Sequence, residues 1–234
     1  MKNTHYFVSI ILTLGIGFSQ NPLPKLPDLP KLQKKGQNTD GDVIIRDHFH
    51  YFIKDIDKLE AEINYKMGEL IIKPNINNPS EFDGFSEYNP LYFDSPKVDY
   101  NVFGKTGFLE MRTNAVDHEF SFNWNSNRFH NKSEYKFPLS VPIEMKLDFG
   151  LGETEIDLSG IQIQSLNIEC GMGKVTLNVD SQNPIVCKKI KIEAGMGEFE
   201  GTGLGYLRAE VVNIDVGLGS ADIDFSGKIN HNMK

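Results

Sequence analysis

The stretch "LDFGLGETEIDLSG", Leu147–Gly160, decides the fold because a Gly-Leu-Gly triplet separates two runs of strictly alternating apolar and polar residues. The triplet recurs as Gly-Met-Gly at 171–173 and at 195–197, and as Gly-Leu-Gly at 217–219. The first glycines of successive triplets are 21, 24 and 22 residues apart. Self-similarity at such a period is typical of a repeat array.

The alternation is in phase across all four repeats. Successive side chains of a strand point to opposite faces, so residues one, three and five before the first glycine share a face, as do residues four, six and eight after it. Of these 24 positions, 21 are apolar; the exceptions are Thr154, Gly201 and Gly203. The intervening positions, two and four residues before the first glycine and three, five and seven after it, are all polar. Each repeat is therefore predicted to be two short strands with one buried and one solvated face.

One such repeat cannot bury its apolar face alone, whereas stacked repeats form a continuous core. We therefore predict an all-β fold, a single-stranded, right-handed, β-helix-like solenoid with coils of about 21–24 residues and Gly-x-Gly corners. Leucine-rich repeats have a similar period, but their leucine signature is absent from the four repeats. Glycine suits a corner because it adopts positive φ without a Cβ clash. The predicted corner residues are Gly150, Gly152, Gly171, Gly173, Gly195, Gly197, Gly217 and Gly219.

The N-terminus predicts export. Residues 1–19 carry Lys2, an apolar run from Phe7 to Phe18 and small residues before Gln20, which is the pattern of a signal peptide, with an uncleaved anchor as the alternative. We expect a periplasmic or cell-surface bacterial protein without a transmembrane segment in the mature chain. A net charge of −8 and the absence of a basic stripe exclude nucleic acid as the expected partner.

The rest of the chain divides by composition. Residues 20–42 contain four prolines and predict an extended spacer or disordered arm. Residues 43–140 are still strand-like, and "AEINYKMGELII" at 61–72 resembles a degenerate corner, so we predict irregular N-terminal coils there. Residues 141–228 are predicted to form four regular coils, followed by a polar tail at 229–234.

Several residues could form a ligand-binding or metal site, and each of them also has a purely structural interpretation. Aromatic residues in a row predict either a stacking surface for a sugar or ordinary core; these are Phe120, Phe122 and Trp124. Acidic residues recur two positions before each first glycine, predicting either a calcium ladder or a solvated face; these are Asp148, Glu169, Glu193 and Asp215. The glycine-rich nonapeptide of calcium-binding β-rolls is absent, so we prefer the solvated face.

The remaining candidates are two histidines and two cysteines. His48 and His50 share one face of a strand, but no further ligand lies at metal-site spacing, and we expect a solvent-facing pair. Cys170 and Cys187 form either a disulfide or two buried thiols. No catalytic or phosphate-binding motif is present, so we expect no catalytic residue, no cofactor, no metal and no enzymatic activity.

Three stretches carry a family resemblance: "EYKFPLSVPIEMKLDFGLGETEIDLSGIQIQSLNIECGMGKVTLNV" at 134–179, "AEINYKMGELII" at 61–72 and "SPKVDYNVFGKTGFLEM" at 95–111. Together they resemble the bacterial "toast rack" domain, a β-solenoid of unknown function related to LiaF-like proteins and adhesin-like domains. The resemblance covers most of residues 43–226 and implies no catalytic residues. The transmembrane helices of LiaF-like proteins are absent from this sequence.

The expected function is a non-catalytic, exported envelope protein, an adhesin-like or wall-associated binding or structural module. The alternative is an envelope-stress regulator of LiaF-like type that acts through protein contacts, and a less favoured one is a glycan-processing β-helix enzyme. The expected partner is an envelope protein or a cell-surface glycan, and open solenoid ends also allow self-association.

Overall fold

The computed structural model describes residues 8–11, 43–116 and 129–227. Within them the chain forms eleven strands, one 3-10 turn at Leu204–Leu207 and no α-helix, which confirms the all-β prediction. The strands are β1 (Val8–Ile11), β2 (Ile45–Phe52), β3 (Lys58–Pro74), β4 (Glu81–Tyr88), β5 (Lys97–Phe103), β6 (Thr106–Thr113), β7 (Asn131–Phe137), β8 (Ile143–Asp157), β9 (Ile163–Asn178), β10 (Lys189–Thr202) and β11 (Val212–Ile223).

The five longest strands pair in parallel, in the order β3, β8, β9, β10, β11. Each of these strands consists of two arms, one before and one after a corner. In β8, Leu147 and Phe149 are buried before the corner, and Thr154 and Ile156 are buried after it. The alternation shifts by one residue across the corner, so both arms turn their apolar residues toward the same interior.

The corners lie directly above one another. Gly173 pairs with Gly152 on one side and with Gly197 on the other. A Cβ on Gly173 would lie 2.0 Å from the backbone oxygen of Gly152, and the φ of Gly173 is +140°. Neither the space nor the backbone conformation at this position accepts another residue.

The core lies between the two arms and continues from coil to coil. The rings of Tyr65 in β3 and Phe149 in β8 stack with centroids 6.0 Å apart. Burial is lost on the second arm of β11, where Ala221 is exposed and Phe225, just beyond the strand, is 39% exposed. Inward-facing residues on the second arm of β11 therefore have a neighbouring strand on one side only.

The N-terminal half departs from the expected irregular coils. Among the described residues before β8, only β3 is a two-armed strand; its first arm pairs with β6 and its second with β7. Antiparallel strands then extend each side, with β5 beside β6, and β4 and β2 beyond β7. β5 and β6 are antiparallel because a two-residue loop joins them, and its first residue, Gly104, has a φ of +63°. The chain therefore reverses direction at this loop instead of forming another coil.

Three further features complete the fold. Within the expected signal segment, β1 pairs in parallel with β11. Cys170 and Cys187 are free and buried, and burial raises the pKa of both thiols to about 11. Among the described residues, no helix has the length and hydropathy needed to span a bilayer.

Candidate binding groove

Several residues singled out in the sequence do not assemble a site. The stacking candidates Phe120, Phe122 and Trp124 lie outside the described residues. His48 and His50 are exposed on β2, where His50 Nε2 lies 2.9 Å from Glu81 Oε2 and the His48 ring lies 6.2 Å from the Phe85 ring. The described ranges contain no group of three residues arranged to hold a metal ion.

The acidic column is the set Asp148, Glu169, Glu193 and Asp215, and its members are direct neighbours in register. Cationic and polar side chains offset its charge. Lys66 Nζ lies 3.5 Å from Asp148, Lys191 Nζ lies 2.7 Å from Glu193, and Asn167 donates to Glu169 at 3.0 Å. Each member has a polar or solvent environment, which accounts for the column without an ion.

A groove of about 390 Å³ crosses the outer face of the first-arm sheet, over strands β6, β3, β8 and β9. Strand register builds it from two rows of outward side chains, because residues opposite each other on paired strands share a face. The first row is Phe108, Glu60, Glu144 and Ser165, and the second is Glu110, Glu62, Lys146 and Asn167. We call these eight residues the groove residues.

The carboxylates of the groove have cationic partners. Lys58 Nζ lies 2.6 Å from Glu60 and 3.5 Å from Glu144, and its hydrogen bond with Glu60 raises the pKa of Lys58. Lys146 Nζ lies 3.3 Å from Glu62, and Arg112 pairs with Glu110. The pairs offset the negative charge, and a carboxylate has about four acceptor positions, so acceptors remain for a ligand.

Two features distinguish the groove from an ordinary solvated face. The Phe108 side chain is 39% exposed in a phase of β6 that otherwise carries polar residues. Asn167 Oδ1 is buried and accepts no hydrogen bond from any described residue, while the amide nitrogen of Asn167 donates to Glu169. A buried acceptor without a donor is costly, so a ligand hydroxyl or N–H that reached Asn167 would recover that energy.

Comparison with known proteins places the fold in a family. Residues 32–200 match the family model described as the N-terminal domain of toast_rack. The chain belongs to the toast_rack family. No curated protein matches the chain.

The toast_rack chain also has similar solved structures. It is similar in fold to the crystal structure of a "putative cell adhesion protein" from Clostridium sporogenes, with 21% identity, a TM-score of 0.61, and coverage of 77% of this chain and 99% of that chain. A "putative adhesin" from Bacteroides fragilis matches over 77% of this chain and 97% of that chain at 11% identity, with a TM-score of 0.21.

Sequence reasoning about this toast_rack chain missed Phe108. The signal was available, because Leu109 and Met111 occupy the inward phase of the same strand and leave Phe108 in the outward phase. The grouping of Phe108 with residues of β3, β8 and β9 was not available, because it depends on β6 pairing with β3 across more than forty residues of chain.

Proposed function

We propose that this chain is an exported, non-catalytic envelope protein: an adhesin-like, right-handed solenoid that binds glycan in the groove over β6, β3, β8 and β9. The observation that carries the proposal is the exposed Phe108 ring at the β6 end of the groove, with carboxylate acceptors next to it and the buried Asn167 Oδ1 at the β9 end.

The chemistry of the groove suits a sugar. An aromatic ring packs against the apolar C–H face of a pyranose, while carboxylate and amide oxygens accept hydrogen bonds from its hydroxyl groups. The groove volume of about 390 Å³ is within the range of small-ligand sites. The paired carboxylates Glu60 and Glu144 share Lys58, so the groove presents acceptors without a large uncompensated charge.

The wider context agrees with a binding module. The solved structure with the similar fold carries cell adhesion in its name, and the family resemblance implies no catalytic residues. The signal-peptide pattern at 1–19 would deliver the domain to the envelope, and the Pro-rich spacer at 20–42 would separate it from that terminus. Extended stacked-strand faces are suited to polymeric ligands.

The test is binding of the exported chain, residues 20–234, to peptidoglycan fragments and an array of bacterial polysaccharides. We expect the Kd for the bound glycan to rise at least about 10-fold in Phe108→Ala, since stacking contacts contribute on the order of 1–3 kcal/mol. Phe103→Ala is the matched control, because Phe103 is 83% exposed at the β5–β6 hairpin and does not line the groove. Its Kd should change less than about 2-fold.

Two results would overturn the proposal. One is the absence of binding to every glycan tested. The other is equal loss in Phe108→Ala and Phe103→Ala. Capture of a membrane protein that is insensitive to Phe108→Ala would favour the alternative of an envelope-stress regulator.

A further inference from the structure

The middle residues of the five corners form an apolar line on the outside of the molecule, which we call the corner ridge. Its members are Met67, Leu151, Met172, Met196 and Leu218, and each is in register with the next. None of these five side chains belongs to the hydrophobic core. Met196 and Leu218 are 42% and 68% exposed. Four strand spacings give the ridge a length of about 19 Å.

Acidic rows border the ridge on both sides. The acidic column precedes it, and on the other side Glu69, Glu153 and Glu198 follow it, interrupted by Lys174. Lysines pair with some of these carboxylates, but each row has more carboxylates than lysines; the lysines are Lys66 and Lys191 beside the column, and Lys132 and Lys174 beside the other row. An apolar line between acidic rows favours an occupant that is both apolar and basic. The same borders disfavour an anionic lipid surface and the ridge of a second copy, since both would bring like charges together.

One segment outside the described residues has this chemistry. Residues 23–34 repeat with a period of three, as Leu-Pro-Lys, Leu-Pro-Asp, Leu-Pro-Lys and Leu-Gln-Lys. A polyproline II helix has three residues per turn and rises about 3.1 Å per residue, so the four leucines would share one face about 9.3 Å apart. Two strand spacings of the ridge are about 9.6 Å. Three successive leucines therefore match Met67, Met172 and Leu218, and the fourth lies about 9 Å beyond the end of the ridge.

The segment can reach the ridge from its own chain. Ile45, the first residue of β2, is level with Tyr88 of β4 and Asn131 of β7, and Asn131 Nδ2 donates to the oxygen of Met67 at 2.6 Å. The chain therefore enters β2 at the level of the corner, three strand spacings or about 14 Å from Met67. Residues 35–44 can span up to about 33 Å.

We propose that residues 23–34 dock on the corner ridge of their own chain as a polyproline II helix. Leu32, Leu29 and Leu26 contact the ridge, with Leu32 nearest Met67, and Leu23 extends past Leu218. The lysines share one face of the helix and lie toward one of the two acidic rows. This surface is separate from the groove, so the proposal does not rest on glycan binding. The docked arm would hold the N-terminus along the stack and make the spacer a structured part of the binding domain.

The experiment places a photo-crosslinking amino acid at Met172 in the chain of residues 20–234. We expect crosslinks within one chain to peptides that contain residues 23–34. The same group at Glu155, which is exposed on the second arm away from the ridge, should give at least about 10-fold less of this product. High salt should weaken the crosslink, because exposed charge pairs are screened.

Variants of the arm sharpen the test. Leu26→Glu with Leu29→Glu should lower the crosslink yield at least about 10-fold, whereas Gln37→Glu with Asn38→Glu adds the same charge outside the repeat and should leave it within about 2-fold. All these positions are outside the described core, so circular dichroism and Tm should match the parent. Crosslinks confined to other peptides would overturn the proposal. Crosslinks at the mass of two chains would assign the ridge to a second copy and also overturn it.

Discussion

The two ends of the stack differ although they share one apolar pattern. At the first end, Leu70 and Ile72 on the second arm of β3 are fully buried, because β7 lies on one side and β8 on the other. At the last end, Phe225 follows the second arm of β11 in an inward phase and is 39% exposed. A side chain can therefore be buried only if it faces inward, and it is fully buried only where strands lie on both sides of its own strand.

The largest predicted effect is on the free energy of unfolding, and it compares a glycine at a stacked corner with a glycine in a hairpin turn. Gly173→Ala should lower the free energy of unfolding by about 4 kcal/mol, because its Cβ would meet the Gly152 oxygen at 2.0 Å in a backbone with φ of +140°. Gly104→Ala is the matched control, since it also has positive φ but no atom within 4 Å of the new Cβ, and it should cost about 1 kcal/mol. Urea unfolding of both variants measures the difference. Equal losses would mean that stacking does not constrain the corners.

The next prediction compares an inner coil with the open end. Leu177 in β9 is fully buried, and in register with it, two coils later, lies the partly buried Ile223 of β11. Leu177→Ala should cost about 3 kcal/mol through the cavity it leaves, and Ile223→Ala about 1 kcal/mol. Thermal and urea unfolding would check both values. A loss at Ile223 as large as that at Leu177 would indicate that the last coil is covered, for example by self-association.

The smallest predicted effect per side chain is the pH dependence of stability that comes from the two buried cysteine thiols. Burial raises the pKa of the Cys170 and Cys187 thiols from 9.0 to about 11. The protonated thiols thus contribute stability that is fully present below pH 9 and is lost as the pH rises to 11. Over that window each thiol should cost the parent about 2 kcal/mol of unfolding free energy, a loss that is absent from the variant with both Cys170→Ala and Cys187→Ala. Raised tyrosine pKa values affect both proteins alike, so identical pH profiles would contradict the burial of the thiols.

The regular half was largely predictable because its interactions repeat. The inward positions of β8, β9 and β10 could be derived from the alternation around each Gly-x-Gly triplet, and they are buried in the structure. The N-terminal half was predictable as strands but not as pairs. Gly104 and Gly107 resemble a corner in sequence, yet Gly104 begins a two-residue hairpin loop. A glycine with positive φ serves either turn, and only the pairing of the flanking strands distinguishes them.

The sequence by itself determined the strand character and the phase of every inward residue in the repeats. These properties depend on side-chain alternation and local backbone conformation, which are written into neighbouring residues. Tertiary structure alone decided that Phe108 lies beside Glu60, that β11 ends the stack with an uncovered arm and that the corner residues align into a ridge. Those arrangements depend on which distant strands hydrogen-bond and in what register, and no local pattern carries that information.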